Sequence, residues 1–316
     1  MKAGHATKQL PALAGNGRKK WSSDRRTLTI MGLLCFAFVA VFAYLPLFGW
    51  IMAFIEYKPG LSFFECDFVG LKYFKMALME PELLNVLRNT LVMSLLGLLL
   101  SPLPVIFAIF LSEARSSKFK KFIQTTTTLP NFIGWVLVYS ICFAMFSVGD
   151  GVVNKILLQL GWIQEPLNPL ANSKVVWFFQ TAIGQWKGLG FSAIVYFAAI
   201  TGVDHELYDA ASIDGCGRLK RIWYITVPSI MPTFLTLFVI NIGNILNNGF
   251  EQFYLFYNPL VHDTIQVLDL YTYRLGINLG DYSFATAIGM FKTVVSVTLL
   301  FIVNMLAKKI QGRSVI

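Results

Sequence analysis

The chain divides into long apolar blocks separated by shorter polar segments. Four stretches, 28–55, 89–112, 122–149 and 222–250, contain no Asp, Glu, Lys or Arg, and two more, 175–203 and 283–307, contain a single lysine each, Lys187 and Lys292. A helix needs about 20 mostly apolar residues to cross the hydrocarbon core of a bilayer. Every block is that long, so the pattern predicts an all-α membrane protein with six transmembrane helices. Breakers punctuate these blocks. Pro46, the pair Pro102 and Pro104, and Pro130 are expected to kink or interrupt the first three spans, which membranes tolerate where neighbouring helices satisfy the freed backbone groups. Gly184, Gly188 and Gly190 are expected to let the fourth span approach a neighbour closely.

Composition agrees with the pattern: 56% of residues are hydrophobic and only 14% charged, which fits a soluble globular domain poorly. Charge then sets the orientation. With the N-terminus inside, the inner segments hold 17 of the 26 Lys and Arg residues and the outer segments 7, so the positive-inside rule puts both termini in the cytoplasm of a multi-pass cell-membrane protein. Block 28–55 is too long for a signal-peptide core and no small-residue cleavage site follows it, so it is expected to be retained, with the mature chain starting at Met1. Residues 1–26 are read as a flexible basic cytoplasmic tail, and 27–312 as one membrane domain with an inner loop at 203–228. This asymmetry and anionic lipid headgroups account for the net charge of +9, and no nucleic acid is needed to explain it. Cys35 and Cys142 fall in spans, Cys66 outside and Cys216 inside, so neither a disulfide framework nor a metal pair is expected.

The inner loop carries the stretch DAASIDGCGRLKRIWYITVP, residues 209–228. Residues 206–214 favour a short helix with Asp204 as N-cap and Glu206 near the positive end of its dipole, stopped by Gly215 and Gly217. Leu207, Ala210, Ala211 and Asp214 share a face that the alanines keep small, fit to enter a partner's groove. Arg218, Lys220 and Arg221 follow as a basic lip toward the lipid, and Pro228 stands where the next span begins. Read alone, this is a helix on the inner surface, packed on its own bundle.

Asp209, Ala210 and Ala211, then Gly215, then Ile225, Val227 and Pro228 reproduce the spacing of the E-A-A, three residues, G, nine residues, I-x-L-P loop. In this it resembles the permease subunits of type I binding-protein-dependent ABC importers, with Asp for Glu at the first position and Val for Leu before the proline. VLRNTL at 86–91, LPNFIGW at 129–135, NNGFEQFYLFYNPLV at 247–261 and YSFATAIGMFK at 282–292 are similar to the carbohydrate-uptake branch, the maltose-transporter-like subunits serving complex oligosaccharides. The resemblance runs from about residue 27 to the C-terminus. It implies the type I importer permease fold, with the short helix a coupling helix docked in a cytoplasmic ATPase dimer. It also implies a second, homologous permease completing a heterodimer, and an extracytoplasmic sugar-binding protein. ATP and magnesium would bind the ATPase, leaving this chain without a cofactor and without enzyme activity of its own. Asp209, Ala210, Ala211, Gly215, Ile225 and Pro228 would then couple it to the ATPase.

For the solute path, Asn241, Asn244, Asn248 and Gln252 recur at three- and four-residue spacing, one face of the fifth span, and amides can exchange hydrogen bonds with sugar hydroxyls. Bonding to neighbouring helices is the alternative. Phe250, Phe253, Tyr254, Phe256 and Tyr257 are expected mostly in an aromatic belt at the outer boundary. Lys187 and Lys292, inside the bilayer, either attract an acidic sugar or, the preferred reading, pair with Glu251 or helix ends. No GxxxxGK[ST] loop occurs, HELYD at 205–209 lacks the second histidine of a zinc-protease motif, and three scattered histidines suggest no metal site. The competing class is an ion-driven secondary transporter, which usually needs more spans, inverted repeats and a mid-bilayer acid. A permease for another solute class is the runner-up within the ABC reading.

Overall fold

The computed structural model describes residues 23–311, and its elements are helical throughout apart from one isolated bridge between Ile55 and Phe68. Of the tail read as 1–26, residues 1–22 lie outside the described residues, and Ser23 opens the first helix. The chain falls into two units, ending and beginning at Trp50 and Ile51. In the first, α1 (Ser23–Val39) passes into a π-turn at Ala40–Tyr44 and a 3-10 stretch at Leu45–Phe54, its apolar side chains exposed from Leu28 to Phe48. Pro46 explains the change of winding. Leu45 donates to the carbonyl of Ala40, five residues back, and this wide turn makes room for a ring that could neither donate nor fit in a regular α-turn.

The second unit follows in order as α2 (Lys72–Met79), α3 (Pro81–Leu99), α4 (Leu103–Glu113), α5 (Ser117–Thr128), α6 (Trp135–Phe146), α7 (Val152–Gln159), α8 (Val176–Thr201), α9 (His205–Ile213), α10 (Arg218–Arg221), α11 (Val227–Gly243), α12 (Glu251–Phe256), α13 (His262–Ile265), α14 (Leu268–Tyr273) and α15 (Tyr282–Gln311). Four helical stretches are long and apolar enough to cross a membrane, Arg25–Phe54, Pro81–Glu113, Arg218–Gly243 and Tyr282–Lys309, and two bent pairs bring the total to six. The expected breakers act where they stand. Pro102 caps α4 after the irregular turn that ends α3, and Pro130 lies in the 3-10 turn Leu129–Phe132, beyond which the chain bends by 103° into α6.

Of the three glycines expected to permit close packing, only Gly190 does so: a Cβ there would stand 2.2 Å from the Thr127 carbonyl oxygen, so α8 presses directly on the α5 backbone. Around Gly188 there is open space. Buried side chains form three clusters. One joins α2, α3, α14 and α15 around Val86, Leu268 and Ile288; a second joins α6, α8 and α12–α14 around Val138, Ile265 and Leu270; a third joins α4, α8 and α11 around Ala108 and Ile230. Phe253 and Phe256 belong to the second cluster, 4% and 2% exposed, so these two rings are core and not the belt that their position in a Tyr- and Phe-rich run predicted.

The segment 244–281 departs most from the sequence expectation. The fifth span stops at Gly243 instead of running to residue 250, and the chain returns through three short helices. Such broken backbone within a membrane protein needs internal partners. Asn89 donates to the carbonyls of Asp263 (2.8 Å) and Gln266 (3.2 Å), Thr90 accepts from the Leu268 N–H (2.9 Å), and Asn258 donates to the Leu170 carbonyl (2.8 Å). The Asn89 and Thr90 of VLRNTL are thus a backbone clamp for the returning segment.

Candidate functional site

The inner loop starts where α8 turns through 67° into α9. Asp204 caps α9 by accepting from the Glu206 N–H at 3.0 Å. At the other end Gly215 N–H donates to Ser212 O (3.2 Å) and Cys216 N–H to Ala211 O (2.9 Å), the paired bonds of a Schellman motif. Gly215 sits at φ +76°, where a side chain meets the backbone at a cost of about 1 kcal/mol, so the glycine of the loop motif is a backbone requirement. Two contacts fasten the loop from within. The Tyr208 hydroxyl meets Thr226 Oγ1 at 3.0 Å, and Arg221 donates to Ser212 Oγ at 2.9 Å, which itself donates to the Tyr208 carbonyl. Ile225 lies half-buried in the π-turn Ile222–Thr226. There Val227 donates to the Ile222 carbonyl, the same wide turn seen before Pro46, and Pro228 opens α11. The face left outward carries Glu206, Asp209, Ala210 and Ile213, with Leu207 at its edge and Ala211 partly buried. Ile213 is 87% exposed.

A second constellation lies at the end of α11. Asn241, Asn244, Asn247 and Asn248 line a cavity of about 310 Å3 with Ser94 and Gln185. A further space of about 260 Å3 shares Gly97, Gln185 and Asn241 with it and adds Ser101 and Ser192. The amides are not one helical face, because Asn244 is the C-cap and Asn248 already lies in the loop. Asn248 is held by Ser94 Oγ at 3.1 Å, while Asn241, Asn244 and Asn247 are exposed. Gln252 leaves the series altogether: it is buried in α12 and donates to the side chain (2.8 Å) and carbonyl (3.0 Å) of Gln180. Asn247 joins in its place. Its spacing gave no helical signal, and only the end of α11 brings it to the groove.

Residues 100–312 match the family described as binding-protein-dependent transport system inner membrane component. The chain belongs to this family. It is 41% identical over 307 residues to Protein LplB of Bacillus subtilis (strain 168), covering 96% of this chain and 93% of that protein. The polygalacturonan/rhamnogalacturonan transport system permease protein YteP of the same organism is 39% identical, over 90% of this chain and 89% of its own. A chain of a bacterial alginate ABC transporter, solved in complex with an alginate pentasaccharide-bound periplasmic protein, matches with a TM-score of 0.83 at 32% identity, covering 94% of this chain and 99% of that one. The protein is therefore the permease component of an ABC importer, and ATP hydrolysis belongs to a separate subunit. The self-contained secondary carrier is set aside on this ground.

Neither intramembrane lysine of the permease lines the amide groove. Lys187 donates to the Asn131 carbonyl (2.8 Å), at the 3-10 turn before the 103° bend, and stands 5.2 Å from the centroid of the Trp135 ring. That is the helix-end partnership expected for it. Lys292 pairs with Asp269 of α14, a residue that sequence spacing did not single out, and not with Glu251, which is exposed. Among the described residues no cluster of three His, Cys, Asp or Glu could hold a metal ion.

Proposed function

We propose that this permease, with a second homologous permease, forms the path by which an ABC importer brings oligosaccharides across the cell membrane. The domain 27–312 works with both termini in the cytoplasm, receives sugar from an extracytoplasmic binding protein, and is driven by a cytoplasmic ATPase dimer that holds the ATP and magnesium. Through the 203–228 loop, α9 is the coupling helix. One observation carries this: α9 turns an acidic and apolar face, Asp209, Ala210 and Ile213, outward, while hydrogen bonds between Tyr208 and Thr226 and from Arg221 to Ser212 fasten its other face to the segment that continues into α11. A helix so fastened transmits a push on its outer face directly to the span bearing the amide groove. Gly215 fixes the turn that leaves the docking face, and Ile225 and Pro228 join the loop to α11. Asn241, Asn244 and Asn248 offer donors and acceptors to sugar hydroxyls along the path. Plant-polysaccharide oligosaccharides are the favoured cargo, since YteP is named for polygalacturonan and rhamnogalacturonan transport and the arabinooligosaccharides permease AraP of B. subtilis is 28% identical over 282 residues.

The test is to tag the permease, extract it from native membranes in mild detergent and identify co-purifying chains by mass spectrometry. Recovery of a P-loop ATPase and a second six-span permease supports the assembly; recovery of this chain alone, moving solute without ATP, would sink it.

A further inference from the structure

The loop that bears the groove amides is held from behind by one carboxylate. Asp269 Oδ2 accepts from the backbone N–H of both Asn248 and Gly249, each at 3.1 Å, while Oδ1 takes the Lys292 ammonium. Both side chains are about four-fifths buried, with 16% and 19% of Lys292 and Asp269 exposed. From the front, Ser94 holds the Asn248 side chain and donates to the Ile245 carbonyl. Residues 245–249 are therefore clamped between α3 and α14, and Asp269 makes the hydrogen bonds from α14, beside the packing of Leu246 in the same cluster as Leu268 and Tyr271. A carboxylate here does two separable jobs: it supplies an acceptor for two backbone N–H groups, and it offsets the lysine charge.

On the reading that this groove carries the sugar, we propose that Asp269 is a positioning residue of the translocation path, fixing the groove wall through Asn248, and that Lys292 serves only to offset the charge of that carboxylate. The pathway then meets the sugar with neutral amides and hydroxyls, the Lys292 ammonium being taken up by Asp269. Buried ion pairs can often be exchanged for neutral pairs at little loss, whereas removing one partner leaves an uncompensated charge. The acceptor has no such substitute, since two N–H groups lose their partner together.

The experiment compares double variants in the complete transporter, reconstituted with its ATPase, second permease and binding protein. The probe is a mixed pool of galacturonan, rhamnogalacturonan and arabinan oligosaccharides, scored on those the parent takes up, with sugar moved per ATP hydrolysed as the readout. D269N–K292M removes both charges and keeps an acceptor oxygen; D269L–K292M removes the acceptor too. The first should stay within about twofold of the parent ratio, and the second should fall about tenfold in transporter that remains folded and assembled at the assay temperature. Equal loss in both variants would mean the charges themselves matter, and equal retention would mean that Asp269 positions nothing; either overturns the proposal. Asn241→Ala tests the underlying reading separately. A parent-like ratio in that variant removes the groove from the path, whereas a reduced one leaves Asp269 to be judged on the double variants alone.

Discussion

Gly190 and Lys187 lie one turn apart on α8 and both meet the turn where the third span bends. At Gly190 a methyl group would occupy the space of the Thr127 carbonyl oxygen, so Gly190→Ala must part α8 from α5 and should cost about 1–3 kcal/mol. Gly188→Ala meets nothing within 4 Å and should leave stability undiminished or raise it by up to about 1 kcal/mol through helix propensity. Thermal unfolding of the purified complex distinguishes the two. Lys187→Met loses the bond to the Asn131 carbonyl and the contact with Trp135, so it should lower the unfolding temperature while the set of sugars taken up stays the same. A changed set of sugars at undiminished stability would return Lys187 to the solute path.

Helix α9 has two faces, and under the proposed coupling role they predict different failures. Ile213 is almost wholly exposed, so Ile213→Asp should change stability by less than about 0.5 kcal/mol and yet abolish co-purification of the ATPase. Tyr208→Phe removes only the hydroxyl that reaches Thr226, a bond of net worth about 1 kcal/mol. The ATPase should still co-purify and hydrolyse ATP, but with less sugar moved per ATP, because the docked helix no longer pulls on the segment entering α11. Gly215→Asp forces a side chain into the left-handed region at the end of α9 and should abolish uptake while the permease still inserts. If that variant imported sugar normally, α9 would have no part in coupling.

Across the whole molecule, the returning segment 244–281 is bound to α3 and α8 by side chains that satisfy broken backbone and to α15 by the Lys292–Asp269 pair, whereas α9 and α10 contain no buried residue. Local opening follows buried contacts. Hydrogen exchange of the isolated permease should therefore be slow through α13 and α14 and fast through 205–221, and binding the ATPase should protect the latter selectively. Fast exchange in α13 and α14 would mean that Asn89 and Thr90 do not clamp that segment.

Much of this is legible in the sequence because the bilayer is a severe solvent. Charge-free blocks of sufficient length read as helical spans, lysine and arginine asymmetry predicts their orientation, and prolines mark the places where the backbone changes its winding. The loop motif is legible for a related reason: Gly215 answers a local backbone need, and Asp204 caps whatever helix follows it. Periodicity failed where tertiary partners overrule it. The amide series around α11 looks like one helical face only if the helix continues, and the chain instead leaves the helix after Gly243, where Ser94 and Asp269 supply backbone bonds at Ile245, Asn248 and Gly249 that a helix would have made within itself. For the same reason Gln252 turned to Gln180, Phe253 and Phe256 entered the core, and Lys292 found Asp269 in place of Glu251. The sequence by itself determined the spans and the short capped helix at 205–213, both consequences of local chemistry and solvent. Only the tertiary structure decided which amides face the groove and which charge meets which, because those partners are distant in the chain and are selected by packing.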